Sequence, residues 1–376
     1  MRVISIKSQS NEEQLKNLVL TMFTGLPDAK PSVHPRNKLD LKDANWDYFL
    51  NFIEDNQISF RVFALGDNIA DNVKPKINEL IADEKAKRRN LEKSFEKACE
   101  LFNDFEIKYI IVKSFRRYPL SSFTDYDFVI PDEPDRIKAL KILKDLGYTF
   151  LRGRFCEEPY KCSCHKGDSQ IDIYPRAAWN RMKAIETNLL FNRRQCRILN
   201  GLRVYVPSPE DELIILTSHS FSHLIIKLSE IFEALAILKE KLEWKYVVEK
   251  TMRYGTIHIL YYFLRTLNRF YRSFYGKDLS LQPILKTLQH YKIVRIAQST
   301  AGKRKKLDFP YRFPTSLIFV SLAYRLYLDI KHGNVSDMID DVESHSLMIV
   351  LRFLEDLGVN LKRFSPPRIW SIKLKK

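Results

Sequence analysis

Two aspartates, Asp125 and Asp127, stand one residue apart at the head of an apolar run, Phe128-Val129-Ile130. Side chains alternate along a strand, so both carboxylates project from one face, with Cα atoms about 6–7 Å apart at about 3.3 Å per residue. Both can then reach one cluster of divalent ions. Acids set in an apolar strand are costly unless something positive offsets them, and a metal is the partner this pattern favours. A third acid has a comparable place downstream. In Gln170-Ile171-Asp172-Ile173-Tyr174, a strand that buries the two isoleucines turns Asp172 the other way, toward the same cleft. Such a set suits phosphoryl chemistry. Two ions about 3.5–4 Å apart clamp the incoming and leaving oxygens of an in-line displacement, and what remains is positioning and charge neutralisation. On spacing alone, Asp-x-Asp as an exposed turn stays open.

Other residues have chemistry to offer. Lys113-Ser114 follows the apolar run Tyr109–Val112, and Arg116, Arg117 and Tyr118 come next, two cations and a ring able to stack. His219 and His223 stand four apart, on one face of the helix expected at 209–225, where spacing alone reads as packing or surface residues. Lys227 and Glu230 lie beyond them, as cleft wall or as an ordinary ion pair. Cys156, Cys162, Cys164 and His165 have the ligand types of zinc but not its usual Cys-x₂₋₄-Cys spacing; a hairpin explains Cys162 and Cys164 as small half-buried side chains. Tyr254, Tyr261, Tyr262, Phe263, Phe270, Tyr271, Phe274 and Tyr275, interleaved with Arg253, Arg265, Arg269 and Arg272, fit either a single-strand nucleic-acid track or a helical core with snorkelling arginines.

The acids need a sheet to hold them. Periodicity predicts strands at 109–112, 126–130, 148–151, 159–165, 170–174 and 202–206, with a helix at 134–146, hence a mixed sheet with helices on one face. Ahead of it, helices are expected at 10–24, 43–55, 60–70 and 75–102. The basic patch Lys85–Arg89 on the last of these reads as a solvated face. Ser208-Pro209-Glu210-Asp211-Glu212 is a strong helix start. Helices then follow at 209–225, 228–241, 243–253, 256–274, 282–296, 315–332 and 336–356, with Lys303–Lys306 in a loop and a basic tail from Arg363.

Strand, turn, Asp-x-Asp and a later acid-bearing strand resemble the palm of the polymerase-beta nucleotidyltransferase superfamily. The closest likeness is to a group of nucleotidyltransferase-like proteins with an N-terminal helical arm and a C-terminal helical domain. The resemblance spans most of the chain, specific in the palm and looser elsewhere. It implies an α+β fold with a small mixed sheet, divided into an arm at 1–104, a palm at 105–207 and an all-α domain at 208–376. It further implies metal-dependent transfer of a nucleotide from an NTP such as ATP to a hydroxyl of an acceptor. Asp125 and Asp127 would ligate Mg²⁺ or Mn²⁺, with Asp172 a third ligand or general base. Lys113 and Ser114 would contact phosphates, with Arg116, Arg117, His219 and His223 as further nucleotide contacts. The superfamily usually has glycine followed by serine or glycine at the turn, and the resembling group often has Lys-Gly; Lys113-Ser114 departs from both and narrows the room for close backbone approach.

Composition sets the frame. At 376 residues, with 45% hydrophobic and 12% aromatic content, the chain is globular and long enough for two or three domains. Eleven glycines argue against a loop-rich all-β fold. Sixty-two Lys and Arg against 46 Asp and Glu give a formal charge of +16, which predicts attraction to polyanions and leans toward RNA or DNA as acceptor. Five scattered cysteines make no disulfide framework, so a reducing cytoplasm is expected. Neither a signal-peptide core nor a membrane-spanning run is expected. Two other readings stand beside transfer to nucleic acid. One is a nucleic-acid-binding palm without catalysis, which the non-glycine turn favours. The other is a protein-modifying nucleotidyltransferase of a toxin–antitoxin pair.

Overall fold

The apolar and β-branched runs flanking the three acids have the composition of buried strands, and in the computed structural model they form the central sheet. The structure describes residues 40–41, 45–65, 68–69, 71–113, 120–152, 161–301 and 310–356. The sheet has five strands: β1 (Ile110–Val112), β2 (Asp125–Val129), β3 (Thr149–Arg152), β4 (Cys162–Lys166) and β5 (Ser169–Tyr174). Their order across the sheet is β1-β2-β5-β4-β3. β2 and β5 pair in parallel and every other pair is antiparallel. The fold is α+β, with the mixed sheet that the strand order predicts.

Helix α1 is Trp46–Asp55 and helix α2 is Lys74–Asp104. α3 (Glu133–Asp145) bridges β2 and β3. α2 and α3 cover one face of the sheet, burying Phe95, Phe102 and Leu143 against Tyr126, Phe128, Ile171 and Ile173. Phe95 stacks on Tyr126 at 3.9 Å between ring centroids. The opposite face is covered too, contrary to a sheet clothed on one side. There Ile110, Val112, Val129 and Tyr174 meet Trp179, Leu190, Phe191 and Ile215. These apolar side chains alternate with the first set, so both faces need cover, and the acids share the second face with Val129 and Tyr174.

That cover comes from a tight turn of chain, Ala178–Trp179 paired with Met182–Lys183, and from the short helix α4 (Thr187–Asn192). β6 (Gln195–Leu199) and β7 (Leu202–Val206) form a hairpin where a single strand was expected. Its turn residues, Asn200 and Gly201, both have positive φ, 51° and 82°, the two-residue turn that matches strand twist.

Eight helices follow among the described residues. α5 (Pro209–Ser222) starts on the Ser208 hydroxyl, which accepts from the Asp211 N–H at 3.2 Å. It is buried almost all round and forms the axis of the helical part. Around it lie α6 (Leu228–Ile237), α7 (Trp244–Arg253), α8 (Ile257–Tyr275), α9 (Gln282–Gln289), α10 (Lys292–Thr300), α11 (Ser316–His332) and α12 (Val335–Asp356). The helix expected at 282–296 is two, broken at His290–Tyr291. The stretch expected as a helix at 60–70 is a 3₁₀ turn, Phe60–Leu65, followed by an extended pair at Asn68–Ile69.

α1 is capped by the Asn45 side chain, which accepts from the Tyr48 N–H at 3.2 Å. Its Phe49, Phe52 and Ile53 pack into the core of the helical part rather than under the sheet. Fully buried Asn56 makes the joint: its Oδ1 accepts from the Leu228 N–H at 3.1 Å and its backbone O from the Ser229 N–H at 3.3 Å. Among the described residues no helix is long and apolar enough to cross a membrane. The helix expected at 10–24, the run Lys303–Lys306 and the basic tail lie outside the described residues.

Candidate active site

Parallel pairing of β2 with β5 sets Asp127 beside Asp172 and Asp125 beside Gln170. Neighbours in register on one face put their side chains together, and one oxygen from each of Asp125, Asp127 and Asp172 lies within 4.8 Å of the others. Asp127 and Asp172 are buried and Asp125 is half-buried. Oδ1 of Asp127 is buried with no hydrogen-bond partner among the described residues. A buried carboxylate oxygen without a donor is costly, and an all-oxygen acidic set is the donor chemistry of Mg²⁺, Mn²⁺ or Ca²⁺. The residues present therefore fit a hard divalent cation.

Two lysines answer the negative charge. Lys113 Nζ lies 2.8 Å from Asp127 Oδ2, and Lys161 Nζ lies 2.6 Å from Asp172 Oδ2. Gln170 Nε2 donates to both oxygens of Asp172 at 3.0 and 3.1 Å. Burial alone would push the Asp127 carboxyl up, but Lys113 and Lys161 outweigh it and hold it below the ordinary range. Asp172 goes the other way, raised by burial and by the charge of Asp127 against the pull of Lys161. Burial opposes the charge on Lys161 too, yet Asp172 and Asp127 raise its proton affinity, so it stays an ammonium. Burial and the same carboxylates keep the Tyr174 hydroxyl protonated.

Lys113 follows β1 directly, with φ at 60°. The turn thus has the left-handed backbone that glycine adopts readily, held by a residue for which it costs roughly 1–2 kcal/mol. Ser114, Arg116, Arg117 and Tyr118 lie outside the described residues.

A cavity of about 340 Å³ opens over Asp125 and Asp127, with Asp172 buried behind them. Lys113, Lys161, Tyr174 and Trp179 line it on the sheet side, His219, His223 and Glu230 on the helical side, and Gln57 from the turn just past α1. His219 and His223 face each other at 4.6 Å between ring centroids, and His219 Nδ1 is 3.2 Å from Glu230 Oε1. Burial, then the charges of Lys113 and Lys227, pushes His219 well below the usual imidazole range. His223 is exposed into the cleft, and there the protein crowded around it, followed by His219, Lys227 and Lys113, depresses it likewise. Both rings are thereby kept neutral at pH 7. They border the cavity but do not join the cluster of acids. Glu230, raised by burial, accepts from the Lys227 N–H at 2.8 Å and so caps α6.

Other candidates are structural. Cys164 is fully buried in the core under the sheet, and neither it nor Cys162 and His165 joins a metal-ligating group among the described residues; Cys156 lies outside them. In α8, Tyr261, Tyr262, Phe263 and Phe270 are buried, and the Tyr262 hydroxyl donates to the Ala297 carbonyl at 3.1 Å. That is helix packing, not a stacking platform. Sequence reasoning missed Lys161, Trp179 and Gln57. Lys161 falls inside the strand expected at 159–165, with no spacing that marks it as facing the acids.

The family described as an uncharacterised nucleotidyltransferase matches residues 42–272. No curated protein matches the chain. Among solved structures, the Megavirus polyadenylate synthase aligns at a TM-score of 0.29 and 12% identity, covering 80% of this chain and 78% of that one. A likeness that loose carries no argument about this chain's chemistry.

Proposed function

The chain belongs to this uncharacterised nucleotidyltransferase family, and we propose that it transfers a nucleotide from an NTP to a hydroxyl of an acceptor, with divalent cations held by Asp125, Asp127 and Asp172. One observation carries the reading: three carboxylates from two adjacent strands converge within 4.8 Å, two of them lining an open cavity, and one of their buried oxygens is without a donor. Divalent ions there would neutralise the triphosphate and lower the proton affinity of the attacking hydroxyl. The protein's own part is placement. Asp127, held ionised, is a ligand at any physiological pH. Asp172, with both oxygens engaged by Lys161 and Gln170, is the third ligand or the general base. Neutral His219 and His223 offer ring nitrogens to the nucleotide from across the cavity. The basic surface, at +16, favours an RNA or DNA acceptor.

The two lysine–aspartate pairs also support a second reading, a palm scaffold whose acids are neutralised by its own side chains and which binds nucleic acid without catalysis. Incubation with labelled NTPs, Mg²⁺ or Mn²⁺, and total RNA or cell lysate, beside the Asp125→Ala variant, separates the cases. Label in RNA that is lost in the variant supports the proposal. Label in protein supports a protein-modifying enzyme. Salt-sensitive RNA binding with no label in any product would leave the scaffold alone.

A further inference from the structure

Metal entry at the triad meets an obstacle already in place. Lys113 Nζ sits on Asp127 Oδ2 and Lys161 Nζ on Asp172 Oδ2. A divalent ion seated among the three carboxylates draws on the same acceptor oxygens, and an ammonium left within about 3 Å of it is strongly repelled. Each ammonium also lies against a ring, Lys113 at 5.1 Å from the centre of Trp179 and Lys161 at 5.5 Å from that of Tyr174. Both lysines line the cavity, with 14% and 18% of their side chains exposed.

We propose that Lys113 and Lys161 are resident counter-ions of the triad, which give up Asp127 and Asp172 when divalent cations enter and turn into the cavity to hold the triphosphate. The proposal rests on the nucleotidyl-transfer reading of the same site. Lysine suits the task. Its charge is a point on a flexible four-carbon stem, whereas an arginine fork would grip a carboxylate in two places and let go less readily. The faces of Trp179 and Tyr174 give each ammonium a favourable surface beside the carboxylate it leaves. The charges agree as well. Three carboxylates against two ammoniums leave one net negative charge; two divalent cations and a tetra-anionic triphosphate cancel, so the loaded corner keeps that balance.

The test is an Mn²⁺ titration of the full chain, followed by loss of the free-ion electron paramagnetic resonance signal, with wild type, Lys161→Gln and Lys161→Arg. Glutamine still donates a hydrogen bond to Asp172 but has no charge; arginine keeps the charge. Lys161→Gln is expected to bind Mn²⁺ about ten-fold more tightly than wild type, and Lys161→Arg no more tightly. With Mn²⁺ saturating, Lys161→Gln is expected to bind inorganic tripolyphosphate about ten-fold more weakly. Opposite signs in the two titrations are what a merely structural lysine does not produce. Unchanged or weaker Mn²⁺ binding by Lys161→Gln overturns the counter-ion role while leaving the metal site standing. Tighter Mn²⁺ with unchanged tripolyphosphate overturns the turn toward the triphosphate. If wild type and Lys161→Gln alike take up no Mn²⁺, the metal reading and this proposal fall together. Lys113→Gln carries the same expectations at Asp127, so a folding failure of one variant leaves the other to decide.

Discussion

At Lys113 the backbone and the side chain make opposite demands. A φ of 60° favours glycine, whereas the ammonium is 2.8 Å from the buried Asp127. Lys113→Gly relieves roughly 1–2 kcal/mol of backbone strain but strips a buried carboxylate of its nearest cation, at about 3–5 kcal/mol. The second effect is larger, so the variant is expected to lose about 2 kcal/mol of stability in urea melts. Lys113→Gly combined with Asp127→Asn should recover most of that loss, because no buried charge is then left alone. Asp127→Asn by itself is expected to lower nucleotidyl transfer at least about 100-fold in initial-rate assays. The acids were legible because alternation in an apolar strand forces a carboxylate onto a known face. Lys161 was not, because a lysine in a strand of mixed polar residues looks like any solvated side chain until the β4–β5 pairing brings Asp172 within its reach. The glycine-like turn was legible only as a place; that a lysine adopts glycine's backbone there is a tertiary outcome.

Among the elements, boundaries followed local chemistry wherever caps and periodicity agreed. α5 begins at Ser208-Pro209 as the cap predicts, and the long amphipathic stretch from Lys74 is one helix. Where local signals were weak, tertiary packing chose. The stripe from 282 to 296 continues across His290–Tyr291, yet the chain turns there so that α9 and α10 can both pack on α8. Gly255, between α7 and α8, shows how tightly such joints fit. Its φ is 69°, and a Cβ there would stand 2.6 Å from Cγ of Arg325. Arg325 cannot swing aside, since its Nε bonds Asp341 Oδ2 at 2.7 Å and its Nη1 bonds the Tyr254 carbonyl. Gly255→Ala is therefore expected to cost about 2–4 kcal/mol through backbone strain and overpacking together, read as a lowered urea midpoint. Asn56→Ala should cost less, about 1–3 kcal/mol, because it removes the side-chain acceptor of the Leu228 N–H and leaves the backbone bond to Ser229 intact.

For the molecule as a whole, the response to acid follows from histidines enclosed in its interior. Burial pushes His258 down to about 3, with His345 and Arg325 adding to it, and burial and Arg325 bring His345 down to about 4. His219 and His223, which line the open cavity rather than the interior, are depressed as well. A histidine whose folded pKa lies below the unfolded value of about 6.5 binds fewer protons folded than unfolded. Its contribution is therefore complete above pH 6.5 and is lost as pH falls toward the folded value. Asp329 works in the opposite sense: burial and Asp341 raise it to about 6, so its contribution is lost as pH rises through the range from 3.8 to 6. His258 isolates the effect, because both of its ring nitrogens are buried without a hydrogen-bond partner among the described residues. His258→Leu removes two unpaired polar atoms from an apolar site and is expected to stabilise the protein at pH 7 by about 1–3 kcal/mol. It also removes a proton taken up on unfolding. Between pH 6.5 and pH 5 the variant should thus lose about 2 kcal/mol less than wild type. Urea melts of both proteins at pH 5, 6, 7 and 8 measure the divergence directly; parallel pH profiles would mean that His258 titrates in the folded protein as it does in the unfolded chain.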